Sequence, residues 1–242
     1  MGTWYTVKVV DLPGELTVAG VGEDIDRLLR DIDAKMSTYR SDSELSRFNA
    51  AKTTQWFPVS HDMLSVVAEA LRVSKMTDGA FDITIGPLVN LWGFGPEQHP
   101  DRVPAAQQIR SEMARVGYRH VHIRETPPAL RKDLEAIYID LSALAKGYAV
   151  DKVADHLQSL GVTDYMVEVG GELRLKGHND TGTPWKIAVE RPSLGTRDVY
   201  SIMQLDDKGV ATSGDYRNYF EKDGRRYSHT IDPRTGRPID HR

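Results

Sequence analysis

The 242-residue sequence contains no cysteine, which excludes disulfide bonds, thiolate nucleophiles and cysteine-ligated zinc or iron–sulfur sites. No apolar run approaches the roughly 20 residues that a membrane-spanning helix needs. No long run of lysine and arginine occurs, and the net charge is −4, so the basic surface typical of nucleic-acid binding is missing. The composition, 40% hydrophobic and 27% charged, is that of a globular protein with one large domain or two small ones.

Several widespread catalytic and nucleotide-binding motifs are also absent. The sequence has neither a Walker loop nor a GxGxxG turn, so the standard nucleotide-binding folds gain no support. It has no GxSxG elbow and no HExxH helix, and its eight histidines are scattered rather than set at ligand spacing. These absences leave a few aspartate-bearing turns as the main candidates for chemistry.

The most informative stretch is the point where an apolar run passes directly into a helical pattern. Residues 136–141 predict a buried strand, and apolar positions at near-helical spacing predict a helix over 142–160. Such a junction offers free backbone N–H groups and the positive end of a helix dipole, which suit a phosphate. Asp140 lies at the junction, Ser142 can cap the helix, and Lys146 adds a positive charge one turn later. The alternative is an ordinary capped helix with a solvated lysine.

Periodicity assigns most of the remaining chain. Amphipathic helices are predicted at residues 21–39, 61–77 and 104–116. The apolar segment 80–94 follows neither the helical nor the strand period, and we interpret it either as lining a site or as a buried connector. Strands are predicted at residues 4–10, 120–124, 165–169, 172–176, 185–190 and 200–205, and a hairpin at 216–221 and 226–231.

Three aspartate-bearing turns stand out as candidates for a ligand site: residues 80–82, the Asp140 junction and residues 212–215. Together with Lys146 and His229 they suggest an anionic, phosphate-bearing ligand and a hard divalent cation. Mg²⁺ commonly bridges protein oxygen atoms to substrate phosphates. The spacing of the residues alone carries the interpretation no further.

Several motifs, taken in chain order, resemble those of the ApbE family, the FAD:protein FMN transferases. Each motif alone is weak, but together they cover nearly the whole chain. The resemblance implies an α+β fold, ApbE-like (T-fold-like), with mixed sheets flanked by helices and FAD in a cleft between two interlocked subdomains. We expect one domain, 1–242, with parts at about 1–135 and 136–242. The motifs are a Met-Gly-Thr start and residues 39–49, 77–82, 139–147, 170–172, 212–216 and 229–236.

By resemblance, the chain would cleave FAD with the help of Mg²⁺ and attach FMN through a phosphoester bond to a threonine of a target protein, releasing AMP. The implied acceptor is a respiratory or redox subunit with a Ser/Thr-Gly-Ala-Thr-like motif. The alternatives are an FAD pyrophosphatase giving FMN and AMP, and a non-catalytic flavin-binding or carrier protein. Tyr39 favours the transferase, since hydrolytic members resemble one another in having a smaller polar residue there.

The resemblance also implies roles for individual residues. His229 matches the proposed general base, and a neutral imidazole near pH 7 can accept a threonine proton. Asp140 and Lys146 complete the predicted catalytic set, and Ala143 matches a position whose backbone carbonyl binds the metal. A structural role for His229 and core roles for the aromatic residues are the alternatives. The FAD-binding positions by resemblance are Met1, Tyr39, Ala80, Phe81, Asp82, Asp140, Lys146 and Ile231.

The family pattern also leads us to expect a protein longer than these 242 residues. Family members continue past the motif at 229–236 into a segment that supplies an Asp and a Thr to the metal site. They are commonly exported and tethered by an N-terminal lipid. We therefore expect a periplasmic lipoprotein, anchored to the inner membrane, whose signal and anchor lie outside the sequence.

Overall fold

A computed structural model describes residues 2–96, 103–191, 198–214 and 218–240. Within these ranges the chain forms six α-helices and thirteen short strands. The helices are α1 (Val18–Met36), α2 (Glu44–Ala50), α3 (His61–Met76), α4 (Gly86–Leu91), α5 (Ala106–Met113) and α6 (Ser142–Ser159). The strands are β1 (Tyr5–Val9), β2 (Phe57–Pro58), β3 (Val121–Arg124), β4 (Ala129–Lys132), β5 (Tyr165–Val169), β6 (Glu172–Lys176), β7 (Trp185–Glu190), β8 (Val199–Leu205), β9 (Lys208–Val210), β10 (Tyr219–Lys222), β11 (Arg225–Ser228), β12 (Ile231–Asp232) and β13 (Arg237–Pro238).

The helices and the small sheets confirm the predicted α+β class. The predicted helices are found within a few residues of their expected bounds, and β5, β6 and β7 have the bounds that the sequence predicts. The chain divides into two compact units, and both are built from discontinuous segments. The prediction of a single domain with parts on either side of about residue 135 stays a prediction.

Unit 1 comprises Met1–Asp33 and Ala143–Gly214. Its main sheet has the order β1-β5-β6-β9, all antiparallel, and β7 and β8 form a second antiparallel pair. The central strand β5 is buried on both faces, which explains its nearly continuous apolar sequence. Met166, Leu175 and Trp185 form a core cluster on this sheet. Gly170 and Gly171 turn β5 into β6 with φ values of 55° and 97°, which glycine adopts without strain.

A partly buried carboxyl group on β5 makes the stability of unit 1 depend on pH. Burial raises the pKa of Glu168 above its usual 4.5, and Lys8 offsets part of this shift. Because the folded state holds the proton more tightly, the stabilising contribution is complete below pH 4.5 and is lost as the pH rises through the raised pKa. We therefore expect Glu168→Gln to reduce the loss of thermal stability between pH 4.5 and pH 8.

Melting curves across this pH range would check the expectation for Glu168. The control is Glu125→Gln, which changes an exposed glutamate in a turn. Parallel pH profiles for the wild type and Glu168→Gln would contradict the prediction.

Unit 2 comprises Ala34–Ser142 and Asp215–Arg242. It contains a three-stranded antiparallel sheet of order β2-β4-β3 and the hairpins β10–β11 and β12–β13. Asp223 and Gly224, with φ values of 52° and 70°, form the turn predicted between β10 and β11. The core cluster that joins the helices to the hairpins consists of Leu88, Trp92, Ile109, Phe220 and Ile231.

One sequence prediction in unit 2 is wrong. Residues 136–141 do not form a strand, although Ile137, Ile139 and Leu141 are fully buried in alternation, as in a strand. The backbone of this segment bonds to side chains and to carbonyl groups outside any strand. The sequence therefore predicts the burial of these residues correctly, but not their hydrogen bonding. The irregular segment 80–94 folds as a short 3-10 turn, Ile83–Ile85, followed by α4.

Among the helices of the described ranges, none combines the length and the apolar character needed to cross a membrane.

Candidate active site

Asp82, in the loop before α4, uses its carboxylate entirely within unit 2. The side chain is 6% exposed, and its Oδ1 accepts hydrogen bonds from Thr84 N at 2.8 Å and Thr84 Oγ1 at 2.6 Å. Its Oδ2 accepts a hydrogen bond from Tyr118 N at 2.8 Å. The carboxylate therefore caps the 3-10 turn and ties it to a distant loop. Ala80 beside it is exposed and Phe81 is half-buried.

The Asp140 junction lies directly against this loop. The backbone N–H of Asp140 donates to the carbonyl of Ile83 at 2.8 Å. Asp140 Oδ1 accepts from the backbone N–H of Ser142 at 2.8 Å and also from the Ser142 hydroxyl. Ser142, which the sequence suggests as the cap, is instead the first residue of α6, and the Asp140 carboxylate two residues earlier binds its backbone N–H. An aspartate fits this position because its charge also complements the helix dipole.

Gly86 allows the two segments to approach each other closely. A Cβ atom at Gly86 would lie 2.5 and 2.6 Å from two ring carbons of Tyr138 and 3.5 Å from Cβ of Asp140. Real Cβ atoms do not approach other atoms to 2.5 Å. The absence of a side chain at Gly86 therefore permits the packing of the Asp82 loop against the Asp140 segment.

His229 follows β11 and is held by the carbonyl oxygen of Asn218. The His229 backbone N–H and the ring atom Nδ1 both lie 3.1 Å from this oxygen. A carbonyl oxygen can only accept, so the contact assigns the ring hydrogen to Nδ1 and leaves a lone pair on Nε2. The ring forms a T-shaped contact with the ring of Phe94, with ring centroids 6.3 Å apart. Phe94 is one end of an aromatic stack that continues through Phe220, Tyr227 and Trp92.

Ile231 and the turn that follows fix the hairpin to α4 and α5. Ile231 is 8% exposed and belongs to the core cluster of unit 2. A hydrogen bond from Arg234 lowers the pKa of Asp232, whose backbone carbonyl also accepts from Gly236 N at 2.8 Å. Trp92 Nε1 donates to the carbonyl of Gly236 at 2.9 Å. The His-Thr-Ile-Asp-Pro motif therefore forms a rigid hairpin that carries His229 at its start.

Within unit 2 the predicted residues fall into two linked groups and one outlier. Asp82 and Asp140 lie in contacting segments, and Ile231 with His229 lies on the hairpin packed against α4, the helix that follows the Asp82 loop. Tyr39, in the loop between α1 and α2, is 72% exposed and makes none of the described contacts with these groups. Its exposure rules out the alternative that Tyr39 is a core aromatic and leaves its ring accessible for stacking.

Two further predicted residues belong to unit 1. Lys146, on α6, has its ammonium 2.7 Å from Glu172 Oε2, an ion pair that is not aligned as a hydrogen bond. The same ammonium donates to the carbonyl of Gly170 at 3.2 Å. Lys146 is therefore an ion-paired residue, not the solvated lysine of the alternative interpretation. Ala143 is exposed in the first turn of α6. Met1 and the end of the motif at 212–216, residues 215 and 216, lie outside the described residues.

The described residues do not form a divalent-metal site by themselves. Within these ranges, no three His, Asp or Glu side chains lie close enough together to hold a metal ion. Mg²⁺ prefers near-octahedral coordination by oxygen atoms. The backbone carbonyl of Ala143 would supply only one ligand of such a set.

Several residues that support the candidate site were not predicted from the sequence. Thr84 and Tyr118 bind the Asp82 carboxylate, and Asn49 and Lys132 bind the backbone of the Ile137–Ile139 region. Asn49 belongs to a motif that carries the resemblance, and this is the one signal that could have identified it. Lys132 gives no such signal, because a lysine in a short polar strand is usually solvated.

Comparison with known proteins places the chain in a family. A profile described as the ApbE family matches residues 1–242. A curated relative from Vibrio cholerae, named FAD:protein FMN transferase, is 53% identical over all of this chain and 72% of its own length. The structure named Flavin Transferase ApbE from Vibrio cholerae matches with a TM-score of 0.92 at 51% identity, over 100% of this chain and 76% of that one. The apo Pseudomonas stutzeri flavinyl transferase ApbE matches with a TM-score of 0.88 at 44% identity, over 98% and 73%.

The fold and the relatives together define the class of protein as a flavin transferase enzyme. The chain belongs to the ApbE family. The resemblance read from the sequence and the ApbE-like fold are therefore confirmed. The roles of individual residues stay predictions.

Proposed function

We propose that this protein transfers FMN from FAD to a threonine hydroxyl of a target protein and releases AMP. The observation that carries the proposal is the orientation of His229, whose Nδ1 is held by the carbonyl of Asn218 at 3.1 Å. Nε2, which has no hydrogen-bond partner among the residues that the structure describes, is then the base of the ring. A base positioned by a second group is what activation of a weak nucleophile such as threonine requires.

The proposed reaction is an in-line displacement at phosphorus. His229 Nε2 accepts the proton of the threonine hydroxyl as the threonine oxygen forms a bond to the phosphorus atom of the FMN half. The bond from that phosphorus to the bridging oxygen breaks, and AMP leaves with the bridging oxygen. In such transfers, catalysis depends mainly on positioning and on electrostatic stabilisation.

An exposed aromatic ring in unit 2 supports a role in binding FAD. We propose that Tyr39 and Phe81 contact the flavin or adenine ring, that Ala80 adds to the binding surface, and that Asp82 and the buried Ile231 hold the segments that form this surface. Tyr39 is 72% exposed, and an accessible aromatic ring is suited to stacking on a heteroaromatic ligand. The placement of FAD in a cleft remains part of this proposal.

The proposed reaction includes Mg²⁺ because the residues assigned to FAD binding supply little positive charge to offset the pyrophosphate. Asp82 and Asp140 are carboxylates, and the ammonium of Lys146 already lies 2.7 Å from Glu172. Bound Mg²⁺ would neutralise charge on the pyrophosphate oxygens. We propose that the transferase requires Mg²⁺ and that the carbonyl of Ala143 is one of its ligands.

The test is incubation of the protein with FAD, MgCl2 and a peptide that bears a Ser/Thr-Gly-Ala-Thr-like motif. Intact-mass spectrometry should show the addition of FMN to the peptide, and chromatography should show an equal amount of AMP. EDTA should lower the rate by about 100-fold or more, and excess Mg²⁺ should restore it. A peptide with alanine in place of the acceptor threonine is the matched control.

Each other outcome would replace part of the proposal. AMP without a peptide adduct would identify an FAD pyrophosphatase, and binding of FAD without turnover would identify a flavin carrier. Full activity in EDTA would remove magnesium from the proposal.

We also propose that the natural protein acts in the periplasm as a lipoprotein of the inner membrane, on respiratory or redox subunits. The support is the family resemblance. Protease accessibility of the protein in spheroplasts, compared with intact cells, would test the location.

A further inference from the structure

Asn49 and Lys132 bind the backbone of the segment that leads into Asp140. Asn49 is in the last turn of α2. Its Nδ2 donates to the carbonyl of Ile139 at 2.9 Å, and its Oδ1 accepts from the N–H of Ile139 at 2.9 Å. One side-chain amide thus replaces the two hydrogen bonds that a neighbouring strand would make to Ile139. This explains why residues 136–141 are extended and buried without belonging to a sheet.

Lys132 links the same segment to α2. Its side chain is 1% exposed, and its ammonium donates to the carbonyls of Phe48 at 3.2 Å, Asn49 at 3.1 Å and Ile137 at 3.3 Å. Burial lowers the pKa of Lys132, with Glu135 acting against this shift and Lys52 adding to it. A buried ammonium is costly unless its donors are satisfied, so this geometry is strongly constrained.

The helix that carries Asn49 is itself a firm anchor. Ser43 caps α2, since its Oγ accepts from Ser46 N at 3.0 Å, and its hydroxyl donates to the carbonyl of Ser37 at 2.6 Å. Leu45 and Phe48 are 0% and 1% exposed. A fixed donor and acceptor pair on α2 therefore determines where Ile139 lies, and Asp140 is the next residue.

We propose that Asn49, supported by Lys132, is a positioning residue for the flavin transferase reaction: it fixes the backbone of Ile139 so that Asp140 meets both the Ile83 carbonyl and the first turn of α6. The proposal rests on the proposed function for its effect on rate, but not for its effect on structure. Neither residue touches the reacting atoms; both act through Asp140.

The sharpest variant is Asn49→Asp, which keeps the size of the side chain. One carboxylate oxygen can still accept from Ile139 N, but the other would face the Ile139 carbonyl, and two acceptors repel. Lys132→Met removes the ammonium and keeps a similar stem. The control is Asn179→Asp, since Asn179 also receives and donates several hydrogen bonds but lies in a loop of unit 1.

Two measurements test the proposal independently. In the first, amide hydrogen exchange of Asp140 and Ser142 should become at least about 10-fold faster in Asn49→Asp and Lys132→Met, and should be unchanged in Asn179→Asp. Unchanged protection at both amides would overturn the proposal. This measurement needs no substrate, so it stands even if the wild type proves unable to transfer FMN, an outcome that would count against the proposed function alone.

In the second, the single-turnover rate at saturating FAD should fall by about 10- to 100-fold in Asn49→Asp, as expected for a small displacement in a reaction site. Asp140→Ala combined with Asn49→Asp should be no slower than Asp140→Ala alone, because residues that act through one another are not additive. A merely structural role would give multiplied effects. That result, or an equal loss in Asn179→Asp, would refute positioning through Asp140.

Discussion

Replacing His229 with alanine should lower the rate of FMN transfer by about 10²- to 10⁴-fold, the range usual for loss of a general base. The fold should survive, because the ring is only half-buried and its one described hydrogen bond, to the carbonyl of Asn218, leaves behind an oxygen that the backbone N–H of His229 still binds. FAD affinity should change by less than about threefold, because the proposed role concerns the acceptor hydroxyl. Single-turnover measurements by intact mass would give the rate.

Chemical rescue makes the His229 experiment specific for a base. Added imidazole should restore part of the activity of His229→Ala, because a small free base can enter the space left by the ring. His122→Ala is a suitable control, since His122 also makes one side-chain hydrogen bond, to Asp133 at 2.7 Å, and lies on β3. Unchanged transfer in His229→Ala would exclude the histidine as the base. A lost rate accompanied by an equal loss of FAD binding would assign His229 to the binding of FAD instead.

How far the sequence predicts this fold depends on what its apolar pattern reports. The pattern reports burial, and it located β5, β6 and β7 because burial and strand pairing coincide there. At residues 136–141 they do not coincide. Ile137, Ile139 and Leu141 are buried as in a strand, but the partner of Ile139 is the side chain of Asn49, 90 residues away. No local period can indicate a partner that distant in the sequence.

In segment 80–94 the sequence pattern fails for a different reason: it gives no sign of a helix that the structure contains. The glycines, aromatics and single aspartate of this segment show no helical period. The helix it contains, α4, is only six residues long and packs against the core cluster of unit 2. A helix of six residues is too short to show the amphipathic period on which the prediction depends. Gly86 is also necessary for a reason outside the helix, since it makes room for the ring of Tyr138.

The candidate site was predicted through family motifs, and the structure adds what the motifs cannot convey. The motifs identify Asp82, Asp140 and His229, but they do not show which of their side-chain atoms form hydrogen bonds within the protein. Asp82 has both carboxylate oxygens bound to protein donors, whereas only one ring nitrogen of His229 has a partner among the described residues. The two residues, equally prominent in the sequence, should therefore respond very differently to mutation.

Asp82→Ala should mainly destabilise the protein, and this is the second large effect that we expect. The substitution removes the acceptor of the Thr84 and Tyr118 backbone N–H groups in a site where Asp82 is 6% exposed. Unsatisfied buried donors cost about 1–3 kcal/mol each, so we expect a loss of about 3 kcal/mol. For a protein of this size that corresponds to a melting temperature lower by about 6–12 °C.

The melting temperature should be measured without FAD, so that only the internal role of Asp82 contributes. Asp42→Ala is the control: its carboxylate is 72% exposed, and a solvent-exposed ion pair such as the one it makes with Arg40 contributes little to stability. If Asp82→Ala melted like the wild type but lost its affinity for FAD, the carboxylate would be a direct ligand contact and its three internal hydrogen bonds would be dispensable. A lower melting temperature in the absence of FAD would instead establish that Asp82 serves the site by holding its loop against Tyr118.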